Sequence, residues 1–171
     1  MAIHTLVAPY SEILKTTMQS FDFLNPPTEP NQLARDLAET MIANNGLGLS
    51  ANQIGLPYRV FVITGTPIYA CFNPRIIDRS SEEVLMEEGC LSYPNFFIKI
   101  KRPASIRVRF NLPNGEVKNE TFEGLTARVF QHELDHLNGV VHSNRASLFH
   151  LDQARRKMKT ISRRKKEKIS A

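Results

Sequence analysis

Two histidines and a carboxylate fall within five residues at His132-Glu133-Leu134-Asp135-His136. This spacing constrains the chain more than any other stretch. On a helix, residues i and i+4 share a face one turn apart, so both imidazoles reach a single cation while Glu133 stands beside it. A divalent ion makes water acidic near neutral pH, and a neighbouring carboxylate then takes the proton as the water attacks a carbonyl. An ordinary amphipathic helix with two surface histidines carries the same letters. A metal site therefore requires a third ligand from elsewhere in the chain.

The 171 residues fit one domain of ordinary size, and 42% hydrophobic with 23% charged residues is a globular composition. No apolar run approaches the roughly 18 residues of a membrane span. The start, Met1 to Leu6, lacks the basic and apolar regions of a signal peptide, so a cytoplasmic protein without membrane contact is expected. In that reducing setting Cys71 and Cys90 are thiols, Cys71 in the apolar run Ile68 to Phe72 as a core residue. The net charge of +5 is concentrated at the end of the chain. Nine Lys or Arg between Arg155 and Lys168 face the single acid Glu167, which leaves the body mildly acidic.

Hydrophobic periodicity predicts a short helix within Ser11–Ser20 and a second from Pro30, with Leu33, Leu37, Met41 and Ile42 on its apolar face and Gly46 at its left-handed cap. Strands are predicted at 59–64, 68–72, 75–78, 82–86 and 97–100. A hairpin at 105–122 turns at Asn114-Gly115. The motif helix runs from Gly124 to Asn138, with Leu125, Val129 and Leu137 toward the core, and Gly139 ends it. A basic helix begins near Leu151. The fold class is α+β: mostly antiparallel strands wrapped around a central metal-bearing helix, followed by a C-terminal basic helix. The organisation is a single catalytic domain over 1–150 and a basic helix or tail over 151–171.

Two further segments carry chemistry. Gly46-Leu47-Gly48-Leu49-Ser50-Ala51-Asn52-Gln53 imitates a dinucleotide fingerprint but follows a helix and precedes a strand, the reverse of that motif's context. It reads instead as an extended segment whose backbone approaches something closely, ending in an amide donor. In Glu87-Glu88-Gly89-Cys90-Leu91-Ser92 the two carboxylates argue against a free nucleophilic thiol, whereas a nearby cation favours the thiolate. Cys90 is the better candidate for the third ligand.

Together these segments, in this order, resemble the peptide deformylase family, which carries G-Φ-G-Φ-A-A-x-Q, E-G-C-L-S and Q-H-E-x-D-H-L. Here they are Gly46 to Gln53, Glu88 to Ser92 and Gln131 to Leu137. Gly124-Leu125 and Arg102-Pro103 extend the likeness over nearly the whole body. Ser50 stands where the family usually has Ala, a small-for-small exchange expected to be tolerated. The resemblance implies that Cys90, His132 and His136 bind one divalent metal per chain, Fe2+ being expected, with Zn2+, Ni2+ and Co2+ as alternatives. It implies Glu133 as general acid/base, with the Gln53 amide and the Leu91 N–H holding the oxyanion. Leu47, Gly48, Glu88, Gly89, Leu125, Arg128 and Val129 would bind substrate, with Glu88 and Arg102 paired behind the ligands. Phe97 takes a place where many relatives carry a basic residue.

The implied reaction is removal of the formyl group from the formyl-methionine of newly made peptides, releasing formate, by a monomer. The basic tail implies the ribosome or ribosomal RNA as a partner. Two other readings compete. His132 to His142 also satisfies H-E-x-x-H-x-x-G-x-x-H, which would make His142 the third ligand of a metzincin-like zinc protease. That class needs a methionine turn, and the only later methionine is Met158, inside the basic tail, so His142 is expected at the surface or just behind the ligands. The other alternative is an RNA-binding domain with a structural metal.

Overall fold

A computed structural model describes the backbone of residues 2–169 and the side chains of residues 2–164. The side chains of Lys165, Lys166, Glu167 and Lys168, part of the basic run, lie outside the described residues. Helix α1 (Pro30–Ala43) starts where Pro30 occupies the first turn and the Glu29 carboxylate accepts from the Asn31 and Gln32 N–H groups. It buries Leu33, Leu37 and Met41, while Ile42 is exposed. Its left-handed cap is Asn45 (φ 54°) and not Gly46, because asparagine also tolerates that region. Gly46 serves another purpose: a Cβ there would lie 2.8 Å from Leu91 Cδ1.

Five strands form one antiparallel sheet: β1 (Gly48–Ser50), β2 (Val60–Ile63), β3 (Tyr69–Arg79), β6 (Ser105–Asn111) and β7 (Val117–Glu123), in the order β1-β2-β3-β6-β7. A separate antiparallel ribbon joins β4 (Glu83–Cys90) to β5 (Tyr93–Pro103). The two pieces predicted at 68–72 and 75–78 are one strand, interrupted by a bulge at Asn73, whose φ is 49°. The strand predicted at 97–100 extends over eleven residues. Within 11–20 only Glu12–Lys15 is helical, as a 3-10 turn, since Asn138 and Tyr58 instead bridge Thr17 and Gln19 into extended pairing.

Helix α2 (Gly124–Leu137) packs across β1, β2 and β7. Every residue from Ala127 to Leu137 is buried. Phe130 and Leu137 join Phe61, Ile63, Val108, Phe110 and the buried thiol Cys71 in the main core. A second cluster lies under α1. Leu125 departs from expectation: it is 52% exposed and faces a cavity, not the core. Gly139 (φ 69°) follows the α2 cap, and the bare Cα lets Lys15 approach, its carbonyl oxygen lying 2.5 Å from where a Cβ would be. Helix α3 (Leu148–Ile169) begins three residues earlier than the periodicity placed it, and Leu151 and Ala154 pack on Ile98 and Ile100 of β5. No helix among the described residues is long and apolar enough to cross a membrane.

Candidate active site

Three segments far apart in sequence meet where α2 passes the end of β1 and the β4–β5 turn. The potential ligand atoms of Cys90, His132 and His136 all lie within 4.8 Å of one another. Cys90 Sγ is 3.2 Å from His136 Nε2. His132 Nδ1 is 2.9 Å from Glu88 Oε2, so its Nε2 is left to bind a cation. One thiol and two imidazoles, oriented by a buried carboxylate, fit a borderline-soft divalent ion. His132 is pushed up to about 10: burial opposes its charge, but contacts with Cys90 and Glu88 outweigh burial. A cation held by the same atoms would displace that proton.

Behind these three residues stands a chain of buried charges. Glu88 accepts from Arg102 Nε (2.6 Å) and Nη2 (3.0 Å) and from Arg128 Nη1 (2.9 Å). Burial alone would raise its pKa, yet His132 and Arg102 hold it well below the usual carboxylate range. Arg102 Nη1 also reaches Asp135 Oδ2 at 2.7 Å, and Arg145 closes on Asp135 at 2.6 Å. Glu88 thus pairs with Arg102 as the sequence implied, while the roles of Asp135 and Arg145 were missed. Arg128 donates to Ile100 O, to Val84 O and to Glu88.

Glu133 is buried beside His132, and burial raises its pKa against the opposing pull of His132 and a hydrogen bond from Ser50. Ser50 Oγ lies 2.8 Å from Glu133 Oε2 and 3.0 Å from Gln53 Oε1. The exchange read as small-for-small therefore introduces a hydroxyl with two partners. Gln53, on the 3-10 turn Ala51–Ile54, directs its Nε2 toward Ser92 Oγ (3.0 Å) and Cys90 Sγ (3.9 Å). Asn52 anchors the end of α2 by donating to His136 O at 2.8 Å.

A cavity of about 530 Å3 opens onto this cluster. Leu47, Gly48, Glu88, Gly89, Leu125, Arg128 and Val129 line it, as do Gln53, Cys90, Leu91, His132, Glu133 and Phe97. His142 is not at the surface. It is 1% exposed, its ring centroid 5.7 Å from that of His132 and its Nε2 3.3 Å from Phe96 O. Burial, then the neighbouring His132, pushes it down to about 4.

A thiol and two imidazoles able to hold an ion, with a buried carboxylate and an amide lining the same cavity, are the features of a metal-dependent amide hydrolase. The comparisons agree. The sequence model of the polypeptide deformylase family matches residues 3–151. The peptide deformylase of Thermotoga petrophila is 43% identical over 128 residues, covering 74% of this chain and 78% of that protein. The crystal structure of the Thermotoga maritima peptide deformylase superposes with a TM-score of 0.81 at 34% identity, over 86% of this chain and 99% of that one. That of the Synechococcus elongatus peptide deformylase in complex with actinonin gives 0.83 at 30%, over 91% and 85%. The chain belongs to the polypeptide deformylase family, metal-dependent hydrolases that remove N-formyl groups from nascent peptides.

Proposed function

We propose that Cys90, His132 and His136 hold one ion, with Fe2+ as the resident metal, and that the cavity beside them receives formyl-methionine. The observation that carries this reading is the convergence of Cys90, Gln53 and Glu133 from three segments on the floor of one cavity. When bound, the ion supplies Lewis-acid activation of water near neutral pH. Glu133 takes the proton from the attacking water and returns it to the leaving amine nitrogen, a role suited to a carboxyl whose pKa burial raises. Gln53 Nε2 and the Leu91 N–H donate to the oxygen that gains charge, each worth about 3 to 4 kcal/mol.

The methionine side chain would lie against Leu125, Val129 and Arg128, all on the cavity wall. The peptide backbone would add as a strand between Gly48 at the end of β1 and Gly89 on β4. Phe97, whose ring covers Gly89, gives an apolar rim that favours apolar side chains after methionine. The single catalytic domain carries α3 as an attached basic helix for ribosomal RNA, in the compartment where the nascent chains are made. Its support is the concentration of Lys and Arg beyond Ala154, the last α3 residue in the core among the described residues.

Anaerobic purification with metal analysis, followed by an assay of formate released from a formyl-methionyl peptide, tests the reaction. A full metal site without formate release rejects it. Deleting residues 155–171 should weaken ribosome binding in a salt-sensitive way and leave turnover of short peptides intact. Ribosome binding unchanged by the deletion would reject that partner.

A further inference from the structure

Ser50 is fully buried at the end of β1, and its hydroxyl touches both halves of the proposed chemistry. Resting on the reading above, we infer that Ser50 is a positioning residue that ties the acid/base carboxylate to the oxyanion amide. Its Oγ is 2.8 Å from Glu133 Oε2, which leaves Oε1 as the oxygen that meets the reacting water. Glu133 Oε1 is also fixed in place from the other side. A Cβ on Gly48 would lie 2.5 Å from it, so the carboxylate rests on bare backbone at the cavity wall.

The second contact sets the orientation of Gln53. Its Oε1 faces both the Ser50 N–H at 2.9 Å and the Ser50 Oγ at 3.0 Å. An amide whose oxygen is held in this way must turn its NH2 the other way, toward Ser92 and Cys90, where the oxyanion develops. The hydroxyl has one proton and two acceptors, Glu133 Oε2 at 2.8 Å and Gln53 Oε1 at 3.0 Å, and shares it between them. The backbone N–H and the hydroxyl together hold Gln53 Oε1, and the same hydroxyl holds Glu133. Both groups are preorganised from a single rigid position, which is the condition for catalysis without reorganisation.

The test is Ser50→Ala in the metal-loaded enzyme, compared with wild type for formate release, metal content, thermal stability and the NMR resonances of the Gln53 side-chain amide. We expect full metal content, KM unchanged and a roughly tenfold fall in kcat, the signature of an interaction made in the transition state. The Gln53 NH2 resonances should shift and exchange faster. Unchanged kcat, a rise in KM alone, or loss of metal would overturn the inference, the last because Ser50 would then be supporting the ligands. The two levels of the reading separate cleanly. Wild-type protein that releases no formate defeats the proposed reaction, whereas the Gln53 resonances still report whether Ser50 orients the amide.

Discussion

Replacing Arg102 by Met removes three buried hydrogen bonds to carboxylates at once: two to Glu88 at 2.6 and 3.0 Å, and one to Asp135 at 2.7 Å. Breaking one side of a buried ion pair costs about 3 to 5 kcal/mol, because the abandoned charge stays desolvated. Here Glu88 retains Arg128 and His132, and Asp135 retains Arg145. That compensation places the loss near 3 kcal/mol. At roughly 2 to 4 °C per kcal/mol for a chain of this size, the melting temperature should fall by about 6 to 12 °C at pH 7. Calorimetry or circular dichroism melts measure it. The pH dependence has a defined sign. Glu88 is held well below its ordinary value of 4.5 by His132 and Arg102 against the opposing effect of burial. Its contribution is therefore full above 4.5 and lost as pH falls toward its folded value. The gap between wild type and Arg102→Met should narrow in acid. A gap below about 2 °C at pH 7, or one that widens on acidification, would refute the reasoning.

Glu133→Gln should reduce formate release by about a thousandfold with metal retained. It should not lower the melting temperature, since an amide can replace the buried carboxyl beside Ser50. Cys90→Ala should empty the metal site by metal analysis while His142→Ala leaves it filled, because His142 is engaged with Phe96 and lies outside the ligand cluster. The opposite pair of results would restore the metzincin pattern. Gly48→Ala should cut kcat roughly a hundredfold, as the added methyl displaces Glu133 and Val129 from contacts of 2.5 and 2.8 Å; unchanged steady-state kinetics would show that the carboxylate has room to move.

The helix bearing His132 and His136 was readable because one periodicity places both imidazoles and sets its boundaries. Cys90 stands out as a candidate in the sequence because three ordered motifs constrain one another more tightly than any does alone. Arg102 shows where the alternation misleads. It continues the inward phase of Ile98 and Ile100 along β5, a phase that a polar side chain hides. Asp135 and Arg145 are partners ten residues apart across the turn after α2, and Arg102 reaches Asp135 from a different strand. No periodicity reports such pairings. Asn45 at the α1 cap shows a choice that propensity ranks wrongly, since Gly46 was needed where Leu91 packs. Ser50 is close to alanine in volume, and volume does not report the two partners its hydroxyl finds.

From Ala127 to Leu137 every residue of helix α2 is buried, and this bears on kinetics. A helix buried on all sides cannot fray locally, so its amides should exchange hydrogen only on global unfolding. An ion held by His132 and His136, as proposed, would then not exchange by helix opening. It would enter and leave through the cavity lined by Leu47, Leu125 and Phe97. A tight peptide-like occupant of that mouth would act as a stopper, slowing metal escape to a chelator without touching a single ligand.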